Sequence, residues 1–329
     1  MMTGDEQEHL LHCERVLQMA YEHFTTPMMV AKAEEYLKPR NHKPFYFQNE
    51  QQYKIGFADN SFLQKLNSIG DPALLNAALS VGLVMRKENR TFNFFWDRVM
   101  IPIVNKGKVV GFGGRAIKPD VENKYVNSVE SVVFKKGEMF FSTGNESSDT
   151  ALLVEGYFDA IAISSNGGFA CASMGTAINA DLMKELFSSG KTVVILYDGD
   201  APGLKAAKRA ALEALTVVGP EDQVYVCLLN EGFDPDEYIQ EFGYSALKSH
   251  IELNKVSLFD FLTPSKQQSL DELVYEFSKL ADSLRDTHNE YAIESLRNQL
   301  SRWLPSPLIK DLFPSPQLTT PTMGMVNKV

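Results

Sequence analysis

Apolar positions recur near helical spacing over residues 7–24, where Leu10, Leu11, Val16, Leu17, Met19 and Ala20 define one stripe. A second helix is predicted over 28–37 and closed by Pro39. Two short helices follow over 61–67 and 72–79, the first introduced by Asp59-Asn60-Ser61. The period changes after residue 92. Residues 99–104 and 109–115 read as strands, and Asn105-Lys106-Gly107-Lys108 reads as the turn of a hairpin between them. Residues 1–27 are thus expected as a leading helix and 28–149 as a mixed α+β unit.

Beyond the polar stretch 144–149 the rhythm becomes an alternation. Apolar strands are predicted at 152–154, 169–173, 192–197 and 223–228, with helices at 157–165, 179–188, 202–217 and after Asp236. Wholly apolar strands alternating with helices predict a parallel sheet covered by helices on both faces. This α/β unit is placed at 150–245. No strand is predicted in 246–313, where 270–284 and 290–304 carry helical spacing, so a helical subdomain is expected there. The stretch from Pro305 has five prolines and little periodicity, and 314–329 is expected to be a mobile tail. The fold class is therefore α/β with an α+β flank, without repeats of solenoid or propeller period.

Composition narrows this little. The 329 residues, 44% hydrophobic and 22% charged, describe a globular chain of about two domains. No apolar run approaches the ~18 residues of a membrane span, and the acidic start lacks a leader pattern, so a cytoplasmic protein is expected. Cys13, Cys171 and Cys227 form no CxxC pair, which argues against a disulfide framework or a four-cysteine zinc site. His9, His12 and Cys13 share a helical face, but no fourth ligand is near, and an amphipathic helix explains them.

Charge changes the picture more. The net charge of -10 hides a split: residues 28–150 are net +4, residues 151–329 net -10, and 86–136 alone hold 11 basic against 5 acidic residues. A basic region beside an acidic one is either a solvated surface or a groove for a polyanion.

The acids of the α/β unit cluster at strand ends. Glu155 follows the first strand, with Asp159 one helical turn on; Asp198 and Asp200 follow the third; Asp234 and Asp236 lie in the loop after the fourth. Open parallel sheets bind ligands beyond the carboxyl ends of their strands. Asp-x-Asp there offers hard oxygen donors suited to Mg²⁺ or Mn²⁺, and Gly199 between the acids is expected to leave room for a large group. Two such ions can stabilise both the attacking and the leaving oxygen of a phosphoryl displacement. Helix capping is the competing explanation, above all for Asp236 and Asp159. Gly111-Phe112-Gly113-Gly114-Arg115 lacks dinucleotide spacing and a following helix. There is no P-loop and no GxSxG elbow.

Leu153-Val154-Glu155-Gly156-Tyr157-Phe158-Asp159, Tyr197-Asp198-Gly199-Asp200 and Asp234-Pro235-Asp236 resemble the Toprim domain in its bacterial primase form. Asp97-Arg98-Val99-Met100-Ile101-Pro102-Ile103, Val110-Gly111-Phe112-Gly113-Gly114-Arg115, Lys124-Tyr125-Val126-Asn127-Ser128 and Phe134-Lys135-Lys136-Gly137 resemble the RNA polymerase domain of DnaG-type primases, and Leu37-Lys38-Pro39-Arg40, Ile55-Gly56-Phe57-Ala58 and Ala172-Ser173-Met174-Gly175-Thr176 fit the same family. The resemblance runs from about 30 to 262, more weakly to 313. It implies a catalytic core without the family's zinc-binding and helicase-binding domains, either a natural minimal primase of a phage or mobile element or an excised core.

The resemblance implies synthesis of short RNA primers from ribonucleoside triphosphates on single-stranded DNA. Glu155, Asp198 and Asp200 would be catalytic. Two or more Mg²⁺ or Mn²⁺ ions, and no zinc, would be held among Glu155, Asp159, Asp198, Asp200, Asp234 and Asp236. Arg40, Arg98, Arg115, Lys124 and Lys136 would hold nucleotide phosphates or template. A replicative helicase, or a separate zinc-bearing protein acting in trans, is the implied partner. The same acids could serve a Toprim nuclease, and a non-catalytic nucleic-acid-binding replication factor is a third reading. A type IA topoisomerase is disfavoured because its tyrosine-bearing domains have no room here.

Overall fold

Thr3 and Glu6 start the first helix reciprocally. The Thr3 hydroxyl accepts from the Glu6 N–H (3.3 Å) and the Glu6 carboxylate accepts from the Thr3 N–H (2.7 Å), a capping box that opens α1 (Gly4–Phe24). Its buried stripe is Cys13, Val16, Leu17, Ala20 and Phe24. The computed structural model describes residues 3–263, 270–284, 287, 289–302 and 304–313, and the tail expected at 314–329 lies outside the described residues.

Pro27 begins α2 (Pro27–Leu37), which runs into a 3-10 turn, Lys38–Arg40, closed by Asn41 in the left-handed region (φ 56). Two hairpins are absent from the sequence reading: β1 (Phe45–Gln48) with β2 (Gln51–Lys54), and, after β3 (Gly56–Ala58), α3 (Phe62–Ile69) and α4 (Pro72–Ser80), β4 (Val84–Lys87) with β5 (Arg90–Asn93). The hairpin of β6 (Arg98–Asn105) and β7 (Lys108–Ala116) is as expected. Asn105 pairs with Lys108 across Lys106 and Gly107, both with positive φ, as a tight two-residue turn requires. With β8 (Tyr125–Asn127) these strands form a sheet in the order β3-β6-β7-β8.

β9 (Phe141–Gly144) begins the second sheet. It is followed by β10 (Thr150–Val154), α5 (Tyr157–Ser165), β11 (Phe169–Ala172), α6 (Ala180–Ser188), β12 (Thr192–Tyr197), α7 (Ala201–Val217), β13 (Val224–Leu228), α8 (Pro235–Phe242), α9 (Tyr244–Asn254) and β14 (Val256–Ser257). The order is β14-β13-β12-β10-β11-β9, parallel at its centre and antiparallel at both edges. Two expectations change here. The sheet is mixed rather than parallel, and 246–313 contains a strand. Neither edge has an apolar run that would announce it: β14 is two residues long, and β9 ends in Ser-Thr-Gly.

The two faces of the sheet divide the core. Leu152 and Val154 point to the side of α5 and α8, whereas Ala151 and Leu153 point to the side of α6 and α7. α10 (Leu258–Leu262), α11 (Leu270–Leu284), α12 (Glu290–Leu300) and α13 (Ser306–Leu312) extend the second core over α7, where Asn289 donates to the carbonyls of Leu215 and Val218. The first core is continuous with the N-terminal half. Tyr46, Phe141 and Tyr157 meet edge to face in sequence, with ring centroids 5.0 and 4.9 Å apart, and Tyr157 lies so close to β7 that a Cβ on Gly113 would sit 2.7 Å from its ring. The halves are thus seated on one another, which fixes the cleft between them.

The chain leaves β10 for β11 on one side and returns to β12 on the other, so the order reverses at β10. Glu155 and Asp198 emerge at that switch point, where open sheets bind ligands. The space over Gly199, expected to admit a large group, is filled by backbone: a Cβ there would lie 1.9 Å from the Leu229 carbonyl oxygen. Gly199 lets the β12 and β13 loops touch. Gly199→Ala should therefore destabilise the fold by about 3 kcal/mol, the upper range of overpacking costs. Urea denaturation measures this, and an unchanged midpoint would contradict the close approach.

Candidate active site

A cleft of about 640 Å³ separates the strand ends from the basic half and is lined from both. On the acidic side stand Glu155, Asp159, Asp198, Asp234 and Asp236, joined by Glu237, which the strand-end pattern does not announce. Asp200 is exposed at the N-terminus of α7 and does not line the cleft.

Hydrogen bonding sorts these acids. Neither the Glu155 nor the Asp198 carboxylate accepts a hydrogen bond from a described residue. Asp200 and Asp234 each cap a helix through one oxygen, accepting from Gly203 N–H and Glu237 N–H, both at 2.7 Å, and keep the other open. Asp159 is engaged at both, accepting from Gly156 N–H (3.0 Å) and from Asp236 N–H (3.3 Å). Asp236 is engaged at both as well, by His42 Nε2 (2.9 Å) and Gln240 Nε2 (2.8 Å).

Crowding and burial disfavour the ionised forms. Burial, then Glu155, Asp234 and Asp200, push Asp198 up to about 7. Burial followed by Asp200 raises Glu155, burial raises Asp234 against the opposing bond from Glu237 N–H, and burial followed by Asp234 and Asp236 raises Asp159 well above the carboxylate range. Such a group of open carboxylates fits a divalent cation in charge and donor chemistry. Among the described residues no group of three or more His, Cys, Asp or Glu is arranged to hold an ion by itself. Water or the oxygens of a bound ligand would have to complete the coordination, as is usual for Mg²⁺.

The opposite wall carries cations held by aromatic rings. Arg115 on β7 is 8% exposed; its Nε donates to the Tyr36 hydroxyl (2.8 Å) and its guanidinium lies 4.5 Å from the Tyr125 ring centroid. Arg40 lies 4.7 Å from the Tyr36 ring. Such stacking orients a guanidinium while leaving its edge for an anion. Lys124 and Lys136 complete this wall, and burial lowers Lys136 below the ordinary lysine value. Arg98 stands apart. It is spent on backbone, donating to the carbonyls of Gly114, Asn123 and Lys124 at 3.0–3.3 Å, and does not line the cleft. The cleft floor ties the halves together: Tyr157 donates to Asn127 Oδ1 (2.7 Å), and Asn127 Nδ2 donates to the carbonyl of Met174, a residue in the left-handed region (φ 56). Of the unforeseen residues, Tyr36 had a signal in its four-residue spacing from Arg40; His42 had none.

Comparison with known proteins gives the family and the fold. The family described as "DNA primase catalytic core, N-terminal domain" matches residues 20–146, and "Toprim-like" matches 152–239. A DNA primase of Aquifex aeolicus (strain VF5) is 36% identical over 273 residues, covering 80% of this chain and 53% of that protein. The chain spans about half the length of such curated relatives. A crystal structure of the A. aeolicus primase, comprising zinc-binding and RNA polymerase domains, superposes with a TM-score of 0.70 at 30% identity, covering 94% of this chain and 75% of that one. A DnaG primase catalytic domain bound to ssDNA superposes with a TM-score of 0.73 at 27% identity, covering 90% and 98%.

The raised Asp198 predicts a pH-dependent stability. Unfolded, the group titrates near 3.8; folded, at about 7. Between these values the folded state alone keeps the proton, so metal-free stability falls as pH rises from about 4 to about 7 and is level above. Without divalent ions, Asp198→Asn should melt at a higher temperature than the unsubstituted protein at about pH 8, with the gap closing towards pH 4. Equal melting temperatures at the higher pH would contradict the repulsion.

Proposed function

Because the chain belongs to the DnaG-type bacterial primase family, we propose that it is a primer-synthesising nucleotidyltransferase that makes short RNA on a single-stranded DNA template. The observation that carries this reading is one cleft with open carboxylates on one side and ring-held cations on the other. A nucleoside triphosphate needs both: cations along its phosphates, and a divalent ion where charge builds up. The ssDNA bound to the related DnaG catalytic domain supports a single-stranded template.

In the proposed reaction the 3′-hydroxyl of one ribonucleotide forms a bond to the α-phosphorus of the next. The bond to the β-phosphate bridge breaks, pyrophosphate leaves, and the hydroxyl proton passes to a base. Glu155, Asp198 and Asp234, with oxygens open in the cleft, would hold Mg²⁺ or Mn²⁺, with Asp200 contributing from outside its lining. When bound there, the ions neutralise phosphate charge and make the hydroxyl more acidic. Arg115 and Lys136 orient the triphosphate from the opposite wall, while Arg40 and Lys124 extend the cationic track towards the template. Glu155 is the candidate for taking the proton where it does not itself hold an ion: burial and Asp200 raise the proton affinity of the metal-free carboxylate.

The test is a gel of products from purified protein, single-stranded DNA, four ribonucleotides and Mg²⁺ or Mn²⁺. New RNA is expected. Shortened DNA would indicate a nuclease using the same acids, and neither product would favour a binding protein. Asp198→Asn and Asp200→Asn should each abolish synthesis while template binding persists. Arg115→Ala should raise the nucleotide KM about tenfold or more, the value of a charge-assisted contact. Unchanged kinetics would remove Arg115 from the site.

A further inference from the structure

Asp236 stands among the strand-end acids but is bound differently from the four with open oxygens. It is 8% exposed, and both oxygens are occupied, one by His42 Nε2 at 2.9 Å and one by Gln240 Nε2 at 2.8 Å. The Gln240 amide donates to the carboxylate, and so does the His42 ring in the tautomer protonated at Nε2. His42 comes from the other half of the molecule, 194 residues away in sequence. Its side chain is 3% exposed, and its ring stacks on Phe158 at 5.0 Å and 27°.

The backbone explains why His42 reaches there. Asn41 turns in the left-handed region, and the His42 N–H donates to the Leu37 carbonyl (3.1 Å), closing the end of α2. That turn carries Arg40 as well, two residues earlier and facing the cleft. One anchored turn therefore connects a cation of the basic wall to an acid of the opposite wall.

We propose that His42 is a positioning residue: it holds Asp236 as a structural anchor, away from metal binding, and through its turn sets Arg40 at a fixed distance from the carboxylates. The proposal rests on the metal-dependent reading of the cleft. It divides the acidic row into Glu155, Asp198, Asp200 and Asp234, which can bind ions, and Asp236, which orients. The Asp236 N–H, donated to Asp159 Oδ1 at 3.3 Å, carries that order to Asp159.

Mn²⁺ binding, followed by electron paramagnetic resonance without nucleotide or DNA, tests the proposal independently of priming. Asp236→Asn should bind as many Mn²⁺ ions as the unsubstituted protein, whereas Asp198→Asn should lose at least one. His42→Phe keeps the ring on Phe158 but removes the donor. Asp236 is then left short of a partner beside Asp159 and Asp234, so Mn²⁺ should bind about fivefold more tightly or with one further ion. In priming assays this variant should show a nucleotide KM raised about tenfold, with a smaller change in kcat, because Arg40 loses its register. His42→Gln, which returns an N–H donor at similar reach, should restore both properties. A merely structural role would lower the melting temperature without moving Mn²⁺ stoichiometry or dividing KM from kcat. Loss of an ion in Asp236→Asn would overturn the proposal, and so would unchanged Mn²⁺ binding and KM in His42→Phe. If His42→Phe fails to fold, His42→Leu is read in its place with the same expected and overturning results, and Asp236→Asn still decides whether Asp236 holds an ion. Failure of the unsubstituted protein to prime would count against the primase reading alone.

Discussion

Carboxylates gathered at one sheet edge repel one another, and partial burial strengthens that repulsion by removing water that would screen it. Much of this molecule is arranged around that cost. Buried strands deliver the acids to the edge, and the close approach at Gly199 fixes the loop bearing Asp198 against the loop that leads to Asp234. Where an oxygen is tied to a helix N-terminus or to a neighbouring side chain, the charge is compensated locally, as at Asp159, Asp200, Asp234 and Asp236. Burial and neighbouring acids nevertheless raise the proton affinity of Asp159 and Asp234, as they do for Glu155 and Asp198, whose carboxylates accept no hydrogen bond from a described residue. A site built this way favours taking up a proton and, on the proposed reading, a divalent cation.

The basic half solves the complementary problem. Cations facing one another across a short wall would splay apart, but Tyr36 and Tyr125 hold Arg40 and Arg115 by their ring faces and by one hydroxyl. The arginines keep their charge without being neutralised by an acid, so it remains available to a phosphate. The continuous core through Tyr46, Phe141 and Tyr157 keeps the walls at working distance.

The sequence made the central strands legible because each is an uninterrupted apolar run, and the acids were legible because they end those runs. Edge strands were not, since β9 and β14 are too short or polar to stand out, and neither was the β1–β2 hairpin, whose burial comes from long-range packing. Among the basic residues, composition could not separate Arg98 from Arg115. Only the fold shows one guanidinium turned to backbone carbonyls and the other to the cleft. Likewise, spacing placed Asp234 and Asp236 together, but the donors that distinguish them come from His42, far away in the chain, and from Gln240 on the same helix.

The most direct test is a crystal structure of the protein with Mn²⁺ and a non-hydrolysable ribonucleoside triphosphate, with manganese located by anomalous scattering. The account predicts manganese on oxygens of Asp198 and its open neighbours, with the triphosphate bridging from the metal to Arg115 and Lys136. Manganese away from the strand ends, or a triphosphate lying clear of the arginine wall, would contradict it.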